Sequence, residues 1–207
     1  MLQPGITAPT FTLPLAHTEG VVSLADYRGR TSVLLALFRG LYCPFCRRQM
    51  AQLAQTADKL RPLGVETLGI VATAAERARS YFRRVPTRLP LASDPELTTH
   101  RAYGLGSWER NAETAVIIEA AARQLLLELD GPVAPPGKAR EVLNGLDGFD
   151  STHSDHADRE RHQVQLLGQF LIDRAGVIRW CSGEDTASYA VFPSEKQLLA
   201  AVELLAS

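Results

Sequence analysis

The stretch SVLLALFRGLYCPFC, residues 32–46, sets two cysteines three positions apart directly after an unbroken apolar run. The run at 32–38 shows no alternation of apolar and polar residues, which is typical of a strand covered on both faces in a parallel sheet. From Pro44 a helix is predicted to about Leu60, because the apolar residues that follow recur on one helical face. Proline suits the first turn of a helix, where its missing N–H costs no hydrogen bond. The order strand, Cys-x-x-Cys, helix is the starting point for the fold.

The sequence on either side extends this unit into an α/β fold. Residues 65–72 predict a second buried strand, which completes a βαβ unit. The remaining predicted elements are helices at 74–84, 95–103 and 194–205 and a β-hairpin formed by 166–172 and 177–181. This order predicts a thioredoxin-like fold, with a central mixed sheet flanked by helices, and residues 1–207 are expected to form a single domain.

An irregular stretch of nearly sixty residues, at about 106–163, precedes the hairpin and is predicted to be an insertion. It contains apolar patches at 115–118 and 125–129 and three prolines within 131–137. Its last part, 147–162, is rich in aspartate and histidine and is interpreted as a solvated loop, with a lid or a weak metal site as the alternative.

Composition excludes several classes of function. Apolar residues make up 45% of the 207 residues, as in a globular protein, and 22 basic against 23 acidic residues give a formal charge of -1. Such a balance provides no basic field for nucleic acid or an anionic membrane surface. Neither a membrane-spanning apolar run nor a secretory leader is recognisable, so we expect a cytoplasmic protein without a membrane or nucleic-acid partner.

The cysteine pair carries the predicted chemistry. Cys43 lies where the unpaired N–H groups and the dipole of the following helix favour thiolate over thiol. Cys46, three residues further along the helix, is placed to attack a mixed disulfide formed on Cys43. Two cysteines suffice for a full redox cycle, so no cofactor is predicted. Arg39 leaves the strand beside the pair and is the third predicted site residue, with Arg47 and Arg48 as weaker candidates.

Two other interpretations of the cysteines remain open. The pair could be half of a zinc site completed by His153, His156 and His162, or it could belong to a module that only binds partners. The third cysteine, Cys181, is predicted to be a small buried side chain, with an additional resolving thiol as the alternative.

Several separated motifs resemble the redoxin group, the peroxiredoxin-like proteins also called the alkyl hydroperoxide reductase and thiol-specific antioxidant family. The resemblance covers 5–104 and 167–207, and its motifs are VSLADYRG at 22–29, FRGLYCPFC at 38–46, LASDP at 91–95, YG at 103–104, FLID at 170–173 and GVIR at 176–179. It implies a thioredoxin fold, an attacking cysteine at Cys43 and reduction of a peroxide or a disulfide. Electrons would come from a thiol donor of the thioredoxin, glutaredoxin or glutathione type, and a homodimer is possible.

The sequence departs from that family at three positions. Typical members carry proline and threonine or serine seven and three residues before the attacking cysteine, where this chain has Ala36 and Gly40. They also carry arginine just before the strand that faces the site, where this chain has Leu167. The CPFC loop resembles the CPYC loop of glutaredoxins, so hydroperoxides and protein disulfides both stay open as substrates.

Overall fold

The computed structural model describes residues 1–185 and 189–205. The strands are β1 (Thr12–Pro14), β2 (Val21–Ser23), β3 (Ser32–Phe38), β4 (Val65–Val71), β5 (Leu91–Ser93), β6 (Ser107–Trp108), β7 (Val164–Gln165), β8 (Gly168–Ile172) and β9 (Ile178–Gly183). The α-helices are α1 (Pro44–Leu60), α2 (Ala75–Arg84), α3 (Thr98–Ala102), α4 (Ala112–Glu128), α5 (Ala139–Leu146), α6 (His153–Arg161) and α7 (Glu195–Val202). Short 3₁₀ turns lie at Leu24–Tyr27, Arg61–Leu63 and Glu203–Leu205.

The central sheet is mixed and has the strand order β5-β4-β3-β8-β9. Strands β4 and β5 continue parallel from β3, whereas β8 pairs antiparallel with β3 and with β9. Alternate residues of β3 pack into two separate apolar clusters, one containing Leu34 and Phe38 and the other Leu35 and Leu37. The sheet is therefore covered on both faces, and the predicted thioredoxin-like fold is confirmed.

Helix α3 begins later than the sequence predicts. The predicted helix spans 95–103, but the observed one begins at Thr98 because Leu97 adopts a left-handed conformation with φ of 56°. Oδ2 of Asp94 accepts a hydrogen bond of 2.7 Å from the backbone N–H of Thr99. This carboxylate satisfies an N–H group of the first turn that has no partner within the helix.

The predicted solvated loop at 147–162 is wrong, because α6 occupies most of it. Thr152 and Asp155 form a reciprocal capping box at the start of α6. Asp155 also forms an ion pair of 2.7 Å with Arg77 on α2, and 1% of its side chain is exposed. The tract is polar in composition, but one of its carboxylates, on Asp155, is buried by pairing with Arg77, 78 positions away in sequence.

The segment 106–163 is fastened to the central fold at both ends and in its middle. Strands β6 and β7 pair antiparallel and bring its two ends side by side. Arg47 on α1 donates hydrogen bonds of 2.7 Å to Asp147 and 2.8 Å to Asn144, and its guanidinium lies 3.9 Å from the ring centroid of Phe149. These contacts hold α5 against α1.

Within the described ranges, no helix is long and apolar enough to cross a membrane.

We expect Asp155→Ala to lower the free energy of unfolding by about 3 kcal/mol, because Arg77 would remain buried without its counter-charge. Urea titration followed by circular dichroism measures the change. Glu141→Ala is the matched control, since it removes the exposed partner of Lys138, and it should cost less than about 1 kcal/mol. Equal losses in the two variants would contradict a stabilising role for the buried pair.

Candidate active site

Cys43 and Cys46 lie together at the N-terminus of α1. Cys43 is the N-cap residue, and its Sγ accepts a hydrogen bond of 3.2 Å from the backbone N–H of Cys46. Pro44 occupies the first turn, as predicted. Cys43 is 4% exposed and Cys46 is fully buried, and both thiols are free. The helix terminus therefore directs an N–H group at one of the two sulfurs.

Arg39 brings a positive charge to the same sulfur. It follows β3 directly, is 2% exposed, and places Nη1 3.9 Å from Sγ of Cys43. The rest of the guanidinium is fixed, because Nε donates to the carbonyl of Gln165 at 2.6 Å and Nη2 forms an ion pair with Glu184. Its Cζ also lies 4.5 Å from the ring centroid of Tyr189. The structure thus gathers all three sequence-predicted site residues in one place.

The surroundings of the two thiols give them opposite protonation. Burial raises the pKa of Cys43, but hydrogen bonds from Cys46 and the charge of Arg39 outweigh it and lower the pKa to about 6. Burial raises the pKa of Cys46 well above its usual range, and the neighbouring negative sulfur of Cys43 raises it further. At neutral pH, Cys43 is a thiolate while Cys46 keeps its proton.

A narrow cavity of about 20 Å³ adjoins Cys43. This is enough space for a group of about the size of one water molecule. One side is lined by residues of the central fold, among them Arg39 and Tyr42, and the other by Arg110 and Arg140 of segment 106–163. Cys43 is therefore reached through a small space that has the central fold on one side and segment 106–163 on the other.

Tyr42 is a site residue that the sequence analysis misses. Its hydroxyl is buried, and within residues 1–185 and 189–205 it has no hydrogen-bond partner. Burial raises the pKa of this hydroxyl, so it stays protonated. Its place directly before Cys43 is the one signal that could have identified it. The hydroxyl is available as a donor to a group that enters the cavity.

Glu184 and Tyr189 also escape the sequence analysis. Glu184 follows β9 and accepts hydrogen bonds from the backbone N–H groups of Leu167 and Ala190 in addition to its ion pair with Arg39. It lies 145 positions from Arg39 in sequence, and no local motif marks it. The carboxylate fixes the arginine, and the arginine in turn contacts the thiolate.

The structure gives a physical reason for one departure from the family pattern. A Cβ at Gly40 would lie 2.6 Å from Cε1 of Tyr42 and 2.8 Å from the carbonyl oxygen of Ala72. No threonine or serine fits there unless both the Tyr42 ring and the backbone at Ala72 move. At a second of these departures, Leu167, the backbone N–H donates a hydrogen bond of 3.0 Å to Glu184.

The remaining candidates lie apart from the reacting sulfur. Arg47 fastens α5 to α1, and Arg48 is exposed on α1. Cys181 is partly exposed, which corrects the prediction of a buried side chain, and it packs against the apolar cluster on the opposite face of the sheet from Cys43.

The zinc interpretation gains no support from the described residues, which bring no three histidine, cysteine or acidic side chains together as metal ligands. His153 and His156 are exposed on α6. Nε2 of His162 lies 2.8 Å from the carbonyl oxygen of Pro95. His162, the buried histidine of this polar tract, therefore contacts the backbone at Pro95.

Comparison with known proteins gives consistent matches. The model of the AhpC/TSA family matches residues 4–127, which includes the first part of segment 106–163. Peroxiredoxin Bcp of Escherichia coli K12 is 26% identical over 133 residues, which are 64% of this chain and 83% of that protein. Among similar solved structures, peroxidoxin BcpB from Mycobacterium tuberculosis has a TM-score of 0.60 and 14% identity, and the match covers 100% of this chain and 97% of that one. The 2-Cys peroxiredoxin from Plasmodium vivax has a TM-score of 0.62 and 16% identity, and the match covers 97% of this chain and 80% of that one.

Alkylation of Cys43 by iodoacetamide should depend on pH with a midpoint at about 6, against about 8.5 for an ordinary thiol. The thiolate is the reacting form, so the rate falls as pH drops through the midpoint. Arg39→Gln should move the midpoint upward because it removes the charge that favours the thiolate. Mass spectrometry of the Cys43 peptide at a series of pH values measures the rate.

Lys59→Gln is the control, since it removes an exposed cation at the far end of α1 and should leave the midpoint unchanged. A midpoint near 8.5 in the unmodified protein would contradict the assignment of the thiolate.

Proposed function

The chain belongs to the AhpC/TSA family and is an oxidoreductase, and we propose that it reduces hydroperoxides through a dithiol formed by Cys43 and Cys46. The observation that carries this proposal is an arginine-stabilised thiolate on Cys43, which lines a cavity of about 20 Å³ and lies next to the protonated thiol of Cys46. A hydroperoxide presents a slender O–OH end that fits such a space. Exchange with a protein disulfide would require a sulfur more exposed than the 4% of Cys43.

In the first step, the thiolate of Cys43 attacks the terminal oxygen of the hydroperoxide. The O–O bond breaks, Cys43 becomes a sulfenic acid, and the leaving alkoxide or hydroxide takes up a proton to give an alcohol or water. The buried hydroxyl of Tyr42 supports this step as a hydrogen-bond donor to the departing oxygen. Arg39 contributes a fixed positive charge beside the reacting sulfur.

In the second step, Cys46 attacks the sulfenic acid on Cys43. A disulfide forms, and the hydroxyl of the sulfenic acid leaves as water together with the proton of Cys46. The hydrogen bond between Cys46 and Sγ of Cys43 supports this pairing, because it holds the two residues within one turn of α1. Cys43 therefore has the attacking role and Cys46 the resolving role.

A thiol donor returns the disulfide to the dithiol and completes the cycle. Each turnover oxidises two thiol equivalents of the donor and reduces one hydroperoxide. This requirement for a steady supply of thiol suits a reducing compartment, and for this reason we assign the protein to the cytoplasm.

Cys43→Ser should abolish consumption of hydrogen peroxide, because no thiolate remains to attack it. Cys46→Ser should consume about one equivalent, as the unmodified protein does without a donor, but it should accumulate the sulfenic acid on Cys43 because no resolving thiol remains. Peroxide consumption at stoichiometric protein, with trapping of the sulfenic acid by dimedone and mass spectrometry, distinguishes these outcomes. Cys181→Ser is the matched control and should behave like the unmodified protein. Full peroxide consumption by Cys43→Ser would exclude the proposal.

A further inference from the structure

Three arginines of segment 106–163 lie close together beside the Cys43 cavity, and we call Arg110, Arg140 and Arg159 the arginine cluster. Arg110 and Arg140 line the cavity itself. Arg159, on α6, is near enough for their charges to act on it: burial lowers its pKa to about 10, and the charges of Arg140 and Arg110 lower it as well. The pKa of Arg140 is also lowered, by burial and by the charge of Arg110. The three positive charges thus repel one another.

The arginine cluster has few anionic partners. Within residues 1–185 and 189–205, the guanidinium of Arg140 makes no hydrogen bond or ion pair, and Nε of Arg159 is buried without a partner. Arg110 donates to the carbonyls of Arg159 and Gln163, and Glu160 is 3.8 Å from its Nε. Three negative charges act on the three guanidiniums: the Cys43 thiolate, the carboxylate of Glu160 and the carboxylate of Glu141, which is itself paired with Lys138. An unneutralised positive charge remains for a ligand to meet.

The redox state of Cys43 changes this balance. In the dithiol, the thiolate supplies one of the three negative charges near the arginine cluster. In the disulfide, that charge is gone and the positive excess is larger. An anion therefore binds more strongly to the oxidised protein and less strongly once the thiolate reappears. This order of events suits an anionic reductant, which acts on the disulfide, and disfavours an anionic oxidant, which must approach the thiolate.

We propose that the arginine cluster binds the carboxylate of a small thiol and directs its sulfur to the oxidised Cys43. This inference rests on the dithiol cycle proposed above and names the class of its electron donor. Arg110 and Arg140 are half-buried whereas Cys43 is 4% exposed, so a thiol that enters the cavity meets the guanidiniums before the sulfur. Cys46 is fully buried, which leaves Cys43 as the sulfur that the donor attacks.

The reductive step is a thiol–disulfide exchange. The donor thiolate attacks Sγ of Cys43, the bond between Cys43 and Cys46 breaks, and Cys46 leaves and takes up a proton. A second donor thiolate attacks the donor sulfur of the resulting mixed disulfide, which releases the Cys43 thiolate and the oxidised donor. Two thiols lose two electrons in total, and the protein disulfide gains them.

The test compares two thiols that differ in charge, mercaptoacetate and 2-mercaptoethanol, on protein whose disulfide has been formed with diamide rather than with peroxide. Stopped-flow or quenched mass spectrometry follows its reduction at fixed pH. In Arg140→Gln, the rate with mercaptoacetate should fall about tenfold, the effect of losing one charge-assisted hydrogen bond, while the rate with 2-mercaptoethanol stays nearly unchanged. Arg140→Lys, which keeps the charge, should recover part of the loss.

Lys59→Gln is the control, because it removes one positive charge on an exposed side chain at the far end of α1. It should leave both rates unchanged. Equal effects of Arg140→Gln on the two thiols, or equal effects of Arg140→Gln and Lys59→Gln, would overturn the inference. Because diamide forms the disulfide, the comparison of the two thiols does not depend on whether the protein reduces hydroperoxides. Failure to form the disulfide even with diamide would overturn both proposals.

Discussion

The ion pair between Arg39 and Glu184 is the contact on which the site depends. A guanidinium that is 2% exposed is costly unless its charge is compensated, and Glu184 supplies that compensation. The carboxylate is itself held by two backbone N–H groups, those of Leu167 and Ala190. The arginine can therefore stay buried beside Cys43 and lower its pKa. The end of β3, the end of β9 and the chain after it must all be in place before the thiolate is stabilised.

The same arrangement separates the roles of two chemically identical side chains. A helix N–H and a guanidinium act on the sulfur of Cys43, whereas Cys46 lies one turn deeper, where burial and the neighbouring negative charge favour its protonated form. A reactive thiol and a proton-carrying thiol are thereby placed next to each other. The proposed roles, attack by Cys43 and resolution by Cys46, rest on this difference in environment, because the two residues are of the same type.

The sequence predicts the parts of the site whose determinants are local. Strand β3 and helix α1 have the predicted bounds, because an apolar run without alternation and a proline followed by an apolar stripe are local signals. Ion pairs between residues far apart in sequence leave no such local signal. Asp155 is buried by an arginine 78 positions away, so its polar tract resembles a solvated loop. Helix α4 is not predicted for another reason. It has apolar residues on both its buried and its exposed sides, such as Leu126 and Leu127, so its sequence shows no single apolar face.

The pairing of β6 with β7 has a consequence for how such a chain can vary. Cross-strand neighbours lie about 5 Å apart, a gap that a two-residue turn can bridge. The chain between Trp108 and Val164 thus leaves the central fold and returns to it at neighbouring positions, and it contacts α1 and α2 in between. It contributes no strand to the five-stranded sheet, so a change in its length does not require a change in the register of that sheet. Arg39 and Glu184, which stabilise the Cys43 thiolate, lie outside this segment, whereas Arg110 and Arg140, on the other side of the cavity, lie within it, so replacement of the segment would change the cavity wall and keep the groups that act on the sulfur.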